Sequence, residues 1–222
     1  MSIKLVIFDM DGLMFDTESV VYNVWADIIR DMGKEPTIRL FSRSMGGHEP
    51  GLEAYYSELF GREVSLEEVL EIFHRTDTAF PEVLERDGIG VKKGLTELLD
   101  WLEERKIDKI IASSSSQETI RRYLNVTGVD AGRFSDIVSG DMVKKRKPDP
   151  EIFLLACKRA EVSPGDALVL EDSRNGLKAA VAAGAPCVFV PDIIEPDEEI
   201  FEKAYKVADS LFGVIDIIRE MQ

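Results

Sequence analysis

The sequence predicts an α/β fold, a doubly wound parallel sheet interrupted by an inserted helical subdomain. Three observations carry that expectation. Short aliphatic runs read as strands buried on both faces, as a parallel sheet requires. Amphipathic stretches at helical spacing alternate with them. Residues 18–88 break the alternation, offering helical patterns and no convincing buried strand.

Taken in order, the first strand is read over residues 5–8, ahead of Asp9. Helical patterns come next over residues 20–32, 51–60 and 65–73, and these make up the insert. Its joints fall near Asp16-Thr17 and residues 88–94, where Gly88, Gly90 and Gly94 can absorb hinge motion. The expected division is therefore a core of residues 1–16 plus 91–222 and a helical domain of residues 17–90. In the core, Leu95, Leu98, Leu99 and Leu102 mark a helix over residues 94–105. Further strands are read at 109–112, 137–138, 167–170 and 187–190, with helices at 151–160, 176–183 and 210–220. Residues 191–199 read as an acidic surface loop.

Composition narrows the function classes. Of 222 residues, 45% are hydrophobic and 31% charged, enough apolar side chain for a substantial core and a poor fit to disorder. Asp and Glu total 42 against 27 Lys and Arg, a net charge of −15 that repels nucleic acid and anionic lipid. An anionic substrate must then be held by a local cluster of donors. The start of the chain, Met1-Ser2-Ile3-Lys4-Leu5-Val6-Ile7-Phe8-Asp9, turns acidic too soon for a signal peptide. No apolar run approaches the roughly 18 residues of a membrane span. A soluble, cytoplasmic protein is expected, with Cys157 and Cys187 as buried reduced thiols.

The chemistry-bearing residues gather at predicted strand ends. The first strand runs into Asp9-Met10-Asp11-Gly12. Alternation puts Asp9 and Asp11 on one side of an extended backbone, and Gly12 lets the chain turn away. Two such carboxylates repel unless a cation lies between them or one holds a proton. The bland alternative is a solvated Asp-Gly turn. A second acidic pair, Glu171-Asp172, ends another strand, where Asp172 or Ser173 also suits the N-cap of the next helix. Oxygen ligands alone suit Mg²⁺. With His only at 48 and 74, a zinc site is not indicated.

Ser113-Ser114-Ser115-Ser116 comes directly after the 109–112 strand. Ser115 and Glu118 have capping-box spacing, which leaves Ser113 and Ser114 to offer hydroxyl and amide donors to a phosphate oxygen. Lys144-Lys145-Arg146-Lys147 is a basic cluster in an acidic chain, either a solvated loop or a counter-charge. Pro150 suits the first residue of a helix, placing Lys147 just before a helix start. Together these parts read as phosphoryl-transfer chemistry.

The order of four motifs resembles the haloacid dehalogenase (HAD) superfamily, and within it the β-phosphoglucomutase-like phosphatases with a helical cap. They are Asp9-Met10-Asp11-Gly12-Leu13-Met14-Phe15-Asp16-Thr17-Glu18, Ala112-Ser113-Ser114-Ser115, Lys147-Pro148-Asp149-Pro150 and Leu170-Glu171-Asp172-Ser173, spread over nearly the whole chain. The resemblance implies a Rossmann-like core and a cap, 17–90, that closes over substrate. It implies that Asp9 is the nucleophile, forming an aspartyl phosphate, and that Asp11 is the acid and then the base. Ser113, Ser114, Thr17 and Lys147 would bind the phosphoryl group or substrate, with Ser113 and Lys147 acting in catalysis. Asp9, the Asp11 carbonyl and Asp172 would hold Mg²⁺, with Glu171 in or near that set. The implied substrate is a small phosphorylated metabolite, a sugar or polyol phosphate; the acidic surface and the need for cap motion favour a monomer, with neither nucleic acid nor membrane as partner.

The same resemblance keeps a sugar-phosphate mutase as an alternative. Such mutases carry a His four positions after the signature Thr and an Arg three positions after a cap Gly. Here those places hold Val21 and, counted from Gly46, Glu49. Dehalogenases of the superfamily lack the second Asp, which is present as Asp11. A non-catalytic, phosphate-responsive regulatory module is the alternative from another class. Arg43, His48, His74 and Arg75 are the cap side chains that suit an anionic or polyol substrate, against exposed helix-face positions.

Overall fold

The computed structural model describes residues 3–44, 51–193 and 195–222. Its elements begin with β1 (Leu5–Phe8), α1 (Thr17–Asp31), α2 (Ile38–Ser44), α3 (Leu52–Phe60), α4 (Leu66–Asp87) and α5 (Leu95–Glu104). They continue with β2 (Asp108–Ala112), α6 (Gln117–Thr127), β3 (Asp136–Val138), α7 (Glu151–Arg159) and β4 (Ala167–Glu171). The last are α8 (Arg174–Ala183), β5 (Cys187–Phe189), α9 (Glu198–Lys203), β6 (Lys206–Val207) and α10 (Leu211–Met221). The chain divides into two compact units, Met1–Asp16 with Gly90–Gln222, and Thr17–Ile89.

The first unit is a sheet in the order β3-β2-β1-β4-β5-β6, with every pairing parallel. The doubly wound α/β class expected from the alternation is the observed one. β1 is fully buried, Leu-Val-Ile-Phe, because both its faces are covered. Leu5 and Ile7 join Val169, Phe153 of α7 and Leu177 of α8 in one core cluster. Phe8, on the opposite face, meets Phe134 edge-on with ring centroids 5.9 Å apart. Fully burying each such side chain stabilises the fold by about 1.5–3 kcal/mol. Register aligns the three central strand ends. Phe8 pairs with Ile111 on β2 and with Leu170 on β4, so the residues just beyond them emerge side by side.

The second unit holds α1 to α4, with α1 packed along α4. Its core is aromatic: Trp25, Phe41 and Tyr56 are buried, and Trp25 Nε1 donates to Tyr56 Oη at 3.0 Å. Ser65 and Glu68 form a reciprocal capping box at the start of α4.

Several boundaries differ from the sequence reading. α4 continues past residue 73 to Asp87, through Pro81 inside the helix. Ser115 and Glu118 do not cap α6; the Ser116 side chain accepts from Thr119 N at 3.1 Å instead. Pro150 stands at the N-cap of α7 rather than within it. Residues 191–199 are not all loop, since Asp197 caps α9, and β6 is a strand that the sequence reading lacks. Gly46, His48 and Glu49 lie outside the described residues.

Candidate active site

Three parallel strands deliver the site. Asp9 comes directly after β1, Ser113 directly after β2, and Glu171 with Asp172 closes β4. Asp9 N donates to Leu170 O at 3.1 Å and Ser113 N to Val138 O at 3.1 Å. The carboxyl ends of neighbouring parallel strands are where α/β sheets hold ligands.

Lys147 gathers the acidic groups. Its ammonium pairs with Asp9 Oδ1, lies 2.6 Å from Glu171 Oε1, and donates to Ala112 O at 3.3 Å. Its side chain is 6% exposed and that of Glu171 is 0%, so the pairing is shielded from water. Glu171 is otherwise saturated: Oε2 accepts from Asp172 N, Ser173 N and Ser173 Oγ, at 3.1, 2.9 and 2.8 Å. Ser173, and not Asp172, caps α8, accepting from Gly176 N at 3.0 Å. Gly176 is required there, because a Cβ would lie 1.7 Å from Glu171 Oε1.

Asp11 is oriented by the serine loop. Its Oδ2 accepts from Ser115 Oγ at 2.8 Å and from Ser113 Oγ at 3.3 Å. Ser113 Oγ itself accepts from Ser115 N at 3.1 Å. The turn that carries Asp11 closes through Gly12 N to Phe15 O at 3.0 Å, with Gly12 at φ 77°. Ser114 is exposed at the tip of the loop.

Charge is set by this packing. Burial pushes the Asp9 carboxyl well up, Lys147 opposes the shift, and Glu171 and Asp11 add to it. Burial disfavours the Lys147 ammonium, yet Asp9 and Glu171 more than offset it and hold that proton more tightly than usual.

The structure brings together Asp9, Asp11, Ser113, Lys147, Glu171 and Asp172. Thr17 opens α1 and belongs to the second unit. His74 and Arg75 are exposed on α4, and Arg43 lies over the Tyr55 ring at 4.2 Å. Sequence reasoning missed Ser115 as a partner of Asp11, since its spacing to Glu118 matches a helix cap. It also missed Gly176, whose role emerges only from the approach of Glu171.

A cation fits this donor set. Asp9, Glu171 and Asp172 are buried and place carboxylate oxygens within 4.8 Å of one another. Only oxygen donors are present, as a hard divalent ion prefers. Among the described residues no helix is long and apolar enough to cross a membrane.

Comparison with known proteins agrees with the geometry. A family model described as "Hydrolase: haloacid dehalogenase-like hydrolase" matches residues 3–184. The "Phosphorylated carbohydrates phosphatase" of Thermotoga maritima is 33% identical over 189 residues, covering 84% of each chain. "Protein CbbY" of Rhodobacter capsulatus is 25% identical over the full length of both chains. A solved Thermotoga maritima structure, described as a candidate beta-phosphoglucomutase, superposes with a TM-score of 0.75 at 28% identity, covering 99% of this chain and 100% of that one.

Proposed function

The chain belongs to the haloacid dehalogenase-like hydrolases, and we propose that it is a Mg²⁺-dependent phosphatase of small sugar or polyol phosphates. The observation that carries this reading is the pairing of two carboxylates on one turn. Asp9 is held by Lys147, and Asp11 is held by two serine hydroxyls. In this reading Asp9 is the nucleophile and Asp11 the acid and base. The substrate class is supported by the likeness to a phosphatase of phosphorylated carbohydrates.

In this reading a carboxylate oxygen of Asp9 attacks the phosphorus of the ester. The bond from phosphorus to the sugar oxygen breaks, and Asp11 gives its proton to the leaving alkoxide. Asp11 then takes a proton from water as that water attacks the phosphorus of the aspartyl phosphate. The bond to Asp9 breaks, phosphate leaves, and Asp11 is protonated again. Ser113 Oγ and the Ser114 amide bind the transferring group, and Lys147 offsets its charge. Asp9, Asp172 and the Asp11 carbonyl would hold Mg²⁺, with Glu171 orienting Lys147 and the Asp172 amide behind them. The ion supplies Lewis-acid stabilisation of the phosphoryl oxygens. The helical unit, with Thr17 at its start, is the cap of this enzyme and chooses among substrates. The division of the chain after Asp16 supports that assignment.

A sugar-phosphate mutase remains the second reading, favoured by the likeness to the Thermotoga maritima structure. One experiment separates them: phosphate release and product identity with Mg²⁺ across small phosphomonoesters, β-glucose 1-phosphate included. The phosphatase reading expects release from several sugar or polyol phosphates. Conversion of β-glucose 1-phosphate to the 6-phosphate without release would replace it with the mutase. Absence of turnover from the folded protein on every ester would contradict both.

A further inference from the structure

One buried carboxylate of the core unit takes no part in the chemistry above. Asp192 lies in the loop after β5, its side chain 9% exposed. Its Oδ1 pairs with Lys92 Nζ at 2.6 Å. Its Oδ2 is buried and meets no hydrogen-bond donor. Leaving a charged oxygen so placed is costly, so a native fold that keeps one implies a donor outside the protein atoms.

Gly12 shows where that donor sits. A Cβ on Gly12 would lie 2.1 Å from Asp172 Oδ2 and 3.1 Å from Asp192 Oδ2. The two carboxylates, from the ends of β4 and β5, therefore converge on one point above the turn after β1. Like charges facing each other across so small a gap need positive charge or a donor between them. The compact set of oxygens within 4.8 Å comprises Asp9, Glu171 and Asp172 and leaves Asp192 outside. Asp192 therefore stands beside that set and not within it, a place suited to the outer side of a site whose ion, if Mg²⁺, keeps several waters. Lys92 is fixed in turn, its amide donating to Met14 O at 2.9 Å, so the carboxylate is held from behind.

We propose that Asp192 is a positioning residue of the cation site. Its Oδ2 accepts a hydrogen bond from a water carried by the ion that Asp9 and Asp172 hold, while Lys92 sets its orientation. The inference rests on the reading of Asp9 and Asp172 as cation ligands. Outer partners of this kind tune affinity and orient the inner groups.

The test is Mg²⁺ binding by calorimetry on the full, metal-stripped chain without substrate, alongside metal-free thermal unfolding. Asp192→Asn conserves shape, but its amide oxygen is claimed by Lys92, which turns the NH₂ group toward the water. Affinity is expected to fall about tenfold in Asp192→Asn and at least as far in Asp192→Ala. Lys92→Met removes the same ion pair but keeps the acceptor, so affinity is expected to fall less than in either Asp192 variant. Asp172→Asn is expected to lose saturable binding. Parent-like affinity in both Asp192 variants, with binding lost in Asp172→Asn, would overturn the role of Asp192 and leave the cation site standing. Equal losses in Lys92→Met and Asp192→Asn would reduce Asp192 to an anchor for Lys92. A parent protein that binds no Mg²⁺ would overturn the cation site and this inference with it.

Discussion

Asp9 is buried among Glu171 and Asp11, and Lys147 is the cation that opposes their repulsion. Its raised carboxyl pKa means that the metal-free folded state binds that proton more tightly than the unfolded chain does. Stability from this group therefore falls as pH rises from the ordinary carboxylate range through the raised value, and the penalty is full above it. Asp9→Asn carries no such penalty, and Lys147 keeps Glu171 as a partner. This variant should lose turnover while its metal-free Tm at neutral and alkaline pH rises by a few degrees. A chain of this size shifts about 2–4 °C per kcal/mol, and the difference should vanish at acid pH. Thermal scans of both proteins at three pH values check it. Ser115→Ala removes the shorter of the two serine contacts to Asp11 and should lower kcat about tenfold with little change in KM, as loss of one orienting hydrogen bond predicts. Asp9, Asp11, Lys147 and Asp172 were legible as residues because acidic pairs and a basic run interrupt apolar sequence. Ser115 was not, because a serine three residues before a Glu fits a cap equally well, and only the fold shows that Ser116 takes that place.

At the scale of elements, α4 departs most from local rules. Its capping box is complete, and Arg62 and the Ser65 amide pull the half-buried Glu68 carboxyl down to about 2. That contribution is present above the ordinary Glu range and is lost as pH falls toward the lowered value. Pro81 then removes a backbone donor inside a 22-residue helix. Pro81→Ala should stabilise the helical unit by up to about 3 kcal/mol, read as a higher denaturation midpoint in urea. Proline is the usual signal of a helix end, so the stretch beyond residue 73 gave no reason to extend the helix. The short β6 was equally hidden: two residues, one of them an exposed Lys, carry no strand pattern. Buried strands behaved otherwise. β1, β2 and β4 are aliphatic because both faces are covered, and their ends were legible to within a residue.

For the whole molecule, the class of fold was legible in the alternation of strand and helix, whereas the strand order 3-2-1-4-5-6 was not. Order is set by which hydrophobic faces meet, and that information is spread along the chain. The net charge of −15 works at the same scale. It repels an anionic ester at a distance, and salt screens that repulsion within a Debye length of about 10 Å at 0.1 M. Raising ionic strength from low salt should therefore increase kcat/KM for a phosphomonoester while kcat stays nearly constant. Steady-state kinetics across a salt series check this. The central claim is that Asp9 carries the phosphoryl group between substrate and water. The most direct measurement is acid quench during turnover of a sugar phosphate with Mg²⁺, and then mass analysis of the peptide containing Asp9. Asp11→Asn, which loses the acid of the first step and the base of the second, would be quenched in parallel. The account predicts one phosphate on that peptide in the parent and none in Asp9→Asn. Phosphate release that proceeds in Asp9→Asn, or turnover that never labels this peptide in either other protein, would contradict it.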